Sequence, residues 1–172
     1  YPVIQEHFSP SQYYPEYPWH DISSKENKIY DALRNILFEY GLDKENFGYP
    51  TWNPFKNFIS PGMTVLIKPN MVMHQCDNNV NYDELITHPS IVRAITDYIC
   101  IALKGNGKII IADAPMQSCN FELLKSNSGY KDIETYFVNK DINIQLLDLR
   151  KIYSKFNEFN ELQTSNAPSD PL

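Results

Sequence analysis

The run Lys108-Ile109-Ile110-Ile111-Ala112-Asp113-Ala114-Pro115 decides the fold. It is a short apolar, β-branched stretch of strand length, released by Gly105-Asn106-Gly107 and closed by an acid and a proline. Upstream, Thr64-Val65-Leu66-Ile67 follows a Pro61-Gly62 turn and ends at Lys68-Pro69-Asn70. Downstream, Asn143-Ile144-Gln145-Leu146-Leu147 ends at Asp148 and Arg150. Between the first two runs the spacing predicts a helix from about His88 to Lys104. Thr87 or His88 is its N-cap, Pro89 lies in its first turn, and Ile91, Val92, Ile95, Ile99 and Leu103 form its buried stripe. Between the second and third runs a helical stretch spans roughly Cys119 to Asn139, with a break at Ser128-Gly129. Strand, helix, strand, helix, strand is the pattern of an α/β fold: a parallel sheet with flanking helices, Rossmann-like and three-layered, with right-handed crossovers. Strand orders 3-2-1 and 2-1-3 both fit, and only the second places a topological switch point beside Lys68.

Working outward, residues 62–150 form the α/β core and residues 1–61 precede it as an arm with one helix. The arm carries Pro15 and Pro18 among Tyr13, Tyr14, Tyr17 and Trp19. Proline blocks regular helix, and so many rings gain stability only by lying on a surface, either their own domain or a partner. Within this piece Ser23-Ser24-Lys25-Glu26 fits a capping box, with Ser23 as N-cap. Ile29, Leu33, Ile36, Leu37 and Tyr40 follow at helical spacing, and Gly41 stops the helix. Gly48 to Pro61 reads as loop anchored by Trp52 and Phe55. Residues 151–172 read as a polar tail, or as the point where a longer chain continues. The chain begins at Tyr1 without Met and without a basic-then-apolar leader, as a processed or truncated form would.

Composition narrows the function classes. With 15 Lys and Arg against 21 Asp and Glu, the formal charge is −6, which argues against a chain that coats nucleic acid or an anionic membrane. No apolar run reaches the ~20 residues of a membrane-spanning helix. The 3 cysteines, Cys76, Cys100 and Cys119, are scattered and suggest a reducing, cytoplasmic setting rather than a disulfide framework or iron–sulfur site. Cys100 reads as core. Cys119, at a helix start, reads as a buried structural thiol or a reactive one. Met63, Met71, Met73 and Met116 read as gap-fillers. Gly105-x-Gly107 follows a helix and precedes a strand, the reverse of a dinucleotide fingerprint, and neither a phosphate-binding loop motif nor a GxSxG elbow occurs.

Parallel strands finish on one edge, and ligands of open α/β sheets bind there. Lys68 and Asn70, then Asp113, Gln117 and Ser118, then Asp148 and Arg150 follow the three strands. The helix starting near Thr87 brings its amide N–H groups and positive dipole end to the same edge. Lys68 suits a phosphate or carboxylate, or pairing with Asp113. Asp113 suits a general base, a metal ligand, a hydroxyl acceptor or a turn cap. His88 suits a proton shuttle, a ligand or an N-cap. A metal site from His74, Cys76, Asp77, His88 and Asp113 is conceivable but lacks a recognised spacing, so no metal ligand is assigned.

Three blocks carry a resemblance: Val65-Leu66-Ile67-Lys68-Pro69-Asn70-Met71-Val72, Thr87-His88-Pro89-Ser90-Ile91-Val92-Arg93-Ala94, and Ile110-Ile111-Ala112-Asp113-Ala114-Pro115-Met116-Gln117-Ser118-Cys119. In this order they resemble the domain-of-unknown-function family 362, over about Pro61 to Arg150. Trp52-Asn53-Pro54 and Asp148-Leu149-Arg150 resemble a subgroup of it. The resemblance implies an α/β domain of uncharacterised activity, here its amino-terminal half, with a weak link to surface-polysaccharide metabolism. Some family members carry a fused ferredoxin-like iron–sulfur module, whose cysteine clusters this chain lacks. The sequence therefore predicts an enzyme, or the amino-terminal part of one, acting on a small anionic metabolite. Lys68 and Thr87 hold the anion, Asn70, Gln117, Ser118 and Arg150 orient the molecule, and Asp113 or His88 transfers a proton. Two alternatives are a non-enzymatic scaffolding module gripping a partner through its arm, and a metal-dependent enzyme. Cofactor identity stays open, as does the choice between a homo-oligomer and a missing carboxyl-terminal half. No nucleic-acid or membrane partner is expected.

Overall fold

The structure, a computed structural model, describes residues 5–75 and 82–166. Three parallel strands form the central sheet: β1 (Thr64–Ile67), β2 (Lys108–Asp113) and β3 (Ile144–Asp148). Their order is β1-β2-β3, so of the two orders compatible with the sequence the simple progression is realised, without a switch point beside Lys68. Four helices complete the α/β fold: α1 (Lys28–Glu39), α2 (Pro89–Leu103), α3 (Phe121–Ser128) and α4 (Tyr130–Val138). α2 ends where Lys104 turns left-handed at φ 52°, ahead of Gly105. Gly107 must be glycine: a Cβ there would lie 2.6 Å from the Met63 carbonyl oxygen. Gly129, at φ 92°, separates α3 from α4 at the expected break.

Register explains the layering. Val65 pairs with Ile109, Ile67 with Ile111, Ile109 with Ile144 and Ile111 with Leu146, so all six point to one side of the sheet. Val92, Ile99 and Leu103 of α2, Leu124 of α3, and Ile133 and Phe137 of α4 share that core. A second cluster lies beyond α2, where Ala94 and Tyr98 meet Tyr14, Tyr17, Tyr30, Leu37 and Trp52. The layers thus run sheet, then α2 with α3 and α4, then α1 with the arm. α2 is covered from two sides, and its burial extends beyond the expected stripe to Arg93, Thr96 and Asp97, each 0% exposed.

The polar side of α2 is what the arm grips. Arg93 Nε lies 3.1 Å from Asp97 Oδ2, and neither side chain touches solvent. The Arg93 guanidinium also donates to the His7 carbonyl and, at 2.9 Å, to the Tyr17 hydroxyl, while Trp19 Nε1 donates to Asp97 at 3.0 Å. A buried charge needs its full set of partners, and the arm supplies them. Glu6, His7 and Phe8 adopt left-handed φ of 59°, 56° and 58°. Each costs about 1–2 kcal/mol outside glycine, offset here by the His7–Asp132 contact at 2.7 Å and by burial of Phe8.

Three sequence expectations are corrected. The N-cap of α1 is Asn27, whose side chain accepts from Tyr30 N, and not Ser23. Ser23 and Ser24 instead donate to the Glu6 carboxylate across 17 and 18 positions of chain, and these hydrogen bonds hold Glu6 below the usual carboxylate range. Met63 and Met116 are 46% and 54% exposed and fill no gap, whereas Met71 is fully buried. The segment read as a polar tail contains an antiparallel hairpin, β4 (Ile152–Phe156) with β5 (Leu162–Asn166).

Candidate functional site

Two aspartates end neighbouring strands in register, Asp113 on β2 and Asp148 on β3. Asp113 is 6% exposed. One of its oxygens accepts from the Met71 backbone N–H at 2.7 Å and the other meets Lys68 Nζ at 2.7 Å. Met71 lies just beyond β1, so Asp113 fixes the chain leaving that strand while holding Lys68 at the edge. The Lys68 side chain stays 62% exposed. This pairing is one of the alternatives the sequence left open for both residues.

Asp148 is enclosed. Arg150 Nε donates to its two oxygens at 2.9 and 3.0 Å, and Tyr153 donates its hydroxyl at 2.7 Å. Burial works to raise the Asp148 carboxyl, but the Arg150 and Tyr153 hydrogen bonds outweigh it and hold the group below the usual carboxylate range. Burial likewise opposes the Arg150 charge, and Asp148 overcomes it. Arg150 Nη2 donates to Asp148 and to the Tyr153 hydroxyl, and Nη1 reaches the carbonyls of Met116 at 2.7 Å, Cys119 at 3.1 Å and Gln117 at 3.4 Å. Arg150, 4% exposed, therefore ties β3 to the 116–119 loop rather than facing a pocket mouth with Lys68 and Asp113.

The start of α2 is closed as well. His88 is the N-cap and accepts from Ser90 N at 3.3 Å, the capping alternative of the sequence reading. Its ring meets Phe8 edge-on at 5.5 Å, and burial pushes its imidazole below the ordinary histidine range. Thr87 exchanges bonds with Asn70: Asn70 N donates to Thr87 Oγ1 at 2.9 Å and Thr87 N to Asn70 O at 2.7 Å. Pro89 and Ser90 are buried. These contacts engage the Thr87 hydroxyl and the backbone N–H groups of Asn70, Thr87 and Ser90 at the start of α2.

Open space lies one strand further on. A groove of about 1020 Å³ runs between the 117–121 loop with the first turn of α3 and the β4–β5 hairpin, at the carboxyl end of β3. Of the residues the sequence singled out, Gln117, Ser118 and Asp148 line it, whereas Lys68, Asn70, Thr87, His88, Asp113 and Arg150 do not. Gln117 also pins the hairpin, accepting from Ser154 N at 2.9 Å. Lys125 and Lys155 bring cations to the groove, Lys125 being paired with Glu122 at 2.7 Å. Tyr153, Lys155 and Gln163 were missed with the hairpin that carries them. Cys119 lies in the groove wall but is 4% exposed, and burial pushes its thiol up, away from thiolate chemistry. Among the described residues no three His, Cys, Asp or Glu side chains gather as a metal site; Cys76 and Asp77 lie outside the described residues. Among them, too, no helix is long and apolar enough to cross a membrane.

This combination defines an α/β domain with its open space at the carboxyl edge of a parallel sheet. The profile of the family described as a domain of unknown function, DUF362, matches residues 65–165, and the chain belongs to that family. Neither the curated proteins nor the solved structures contain a match.

Proposed function

We propose that this chain is the binding part of an enzyme that takes a small polar metabolite with an anionic group into the groove beside β3. The observation that carries the reading is the groove itself. Its 1020 Å³ is at the upper end of the ~300–1,000 Å³ of ligand sites, and it lies where open α/β sheets take their ligands. Lys155 and Lys125 supply positive charge, Gln163 and Ser118 supply neutral hydrogen-bonding groups, and Phe121 and Tyr153 supply ring surface. The implied link to surface polysaccharides makes sugar phosphates and sugar acids the first compounds to try.

A second reading uses the Lys68–Asp113 pair. An exposed ammonium 2.7 Å from a buried carboxylate can exchange that partner for a ligand anion and leave Asp113 as a proton acceptor. Thermal unfolding against sugar phosphates, sugar acids and nucleoside phosphates separates the two. A ligand at 100 times its dissociation constant stabilises by about 2.7 kcal/mol. The groove reading expects that shift to vanish in Ser118→Trp and to persist in Lys68→Met. The reverse pattern moves the site to Lys68, and no shift with any compound removes both.

A further inference from the structure

The β4–β5 hairpin is a two-stranded ribbon held from one side. Tyr153 of β4 is tied to Asp148 and Arg150, and Ser154 N donates to Gln117 Oε1 at 2.9 Å. β5 pairs with β4 alone, and every one of its residues is exposed. Ile152, Phe156 and Leu162 are 50–68% exposed, so burial does not hold the ribbon together. Two strands without a packed face are marginal in water, and further strands are the usual remedy.

Register shows which backbone groups are open. Asn157 N donates to Glu161 O at 3.0 Å, and opposed residues of an antiparallel pair alternate between bonded and unbonded. Lys155 with Gln163 and Tyr153 with Ser165 are therefore the bonded pairs. Phe156 with Leu162, Ser154 with Thr164 and Ile152 with Asn166 turn their N–H and C=O groups outward. The bond from Ser154 N to the Gln117 side chain fits this phase. On β5 the outward groups belong to Leu162, Thr164 and Asn166. Among the described residues, none of their N–H groups has a partner.

Charge selects the occupant. Edge strands that stay single are blunted by charged side chains, lysine above all, or by proline. β4 follows that rule, with Lys155 inside it and Lys151 just before it. β5 reads Leu162-Gln163-Thr164-Ser165-Asn166, without charge or proline. In a chain of net charge −6, such an edge lets a second copy approach without setting like charges opposite each other. A two-fold axis normal to the ribbon makes the two copies of β5 antiparallel, the self-complementary contact of a symmetric dimer. With that axis at Thr164, Leu162 faces Asn166 of the second copy and Thr164 faces its own counterpart. Each open donor then meets an open acceptor, and the opposed threonines are a favourable cross-strand pair.

We propose that β5 pairs with β5 of a second copy of this chain, antiparallel about a two-fold axis at Thr164, joining two hairpins into one four-stranded sheet. Sedimentation of the full chain over a concentration series tests it. The unsubstituted chain is expected to dimerise, with Kd rising at least tenfold in Thr164→Pro. The Thr164 N–H points away from β4, so proline there removes no bond within the hairpin. Should that variant unfold, Thr164→Lys is the second. It sets like charges together at the axis while lowering the net negative charge, and is expected to raise Kd at least tenfold. Thr164→Cys under mild oxidation reads the register. Bonded partners have Cα atoms about 5.5 Å apart, within the disulfide range of about 4.4–6.8 Å. The linked dimer is expected to form at least fivefold faster than with Ser154→Cys on the outer edge of β4, or with the unsubstituted chain. A chain that stays monomeric up to its solubility limit overturns the proposal. So does a Kd that the folded variant leaves unchanged, or a Thr164→Cys chain that links no faster than Ser154→Cys.

Discussion

Asp113 and Asp148 are the same residue type at the same height on adjacent strands, each paired with a cation, yet they are held in opposite ways. Asp148 meets a guanidinium that is itself buried and bonded to three loop carbonyls, with a tyrosine hydroxyl closing the set. Asp113 meets a lysine whose side chain is 62% exposed. Arginine's planar fork suits a rigid joint with fixed bond directions, whereas lysine's single charge on a flexible stem can change partner at little cost. The β3 end is therefore a closed structural knot beneath the groove, and the β2 end is a pair with its lysine open to solvent.

The sharpest way to break this contrast is Arg150→Ala. It strands a buried carboxylate and frees the loop carbonyls that Arg150 holds, and is expected to cost about 3–5 kcal/mol in urea unfolding. A loss below 1 kcal/mol would make the knot ornamental. Acid comes next. The folded-state Asp148 carboxyl titrates below its unfolded value near 3.9. Its contribution is whole above that value and is lost as the pH falls through the folded-state value. Stability measured from pH 7 to about pH 2 should therefore fall less steeply in Asp148→Asn than in the wild type. Tyr153→Phe removes one hydrogen bond to the charged group, at a cost of about 1.5 kcal/mol, and should raise amide exchange across β4 more than across β2. Lys68→Met is the smallest. Only the lysine of this pair is exposed, but its ammonium is screened by solvent and Asp113 keeps its Met71 N–H bond, so the cost is about 1 kcal/mol or less and unfolding should barely shift.

How much of this was legible follows from where each signal resides. β1 was readable to the residue, and β2 and β3 to within one, because apolar runs, glycine stops and terminal acids are all local. The hairpin was not. Its apolar residues Ile152, Phe156, Phe159 and Leu162 are 50–74% exposed, so no burial pattern marks it beyond an Asn157–Asn160 turn. The α1 cap was misassigned because Ser23 and Ser24 are claimed by Glu6, a choice no local window contains. Arg93 and Asp97 interrupt an apolar run, yet at a spacing of four they form one pair inside α2. Among the site residues, Gln117 and Ser118 were found because they follow a strand, and Lys155 and Gln163 were missed because they do not.

The arm's grip on α2 has a kinetic side. Its polar contacts join residues 76 to 86 positions apart: His7 and Tyr17 with Arg93, Trp19 with Asp97, and Glu16 with Tyr98. During synthesis the arm emerges ahead of α2 and has no helix to hold until that later segment has left the ribosome. Closing loops of that length comes late. Until it happens, Arg93 and Asp97 stay hydrated on an open flank of the helix, so a segment made before the helix settles only after it.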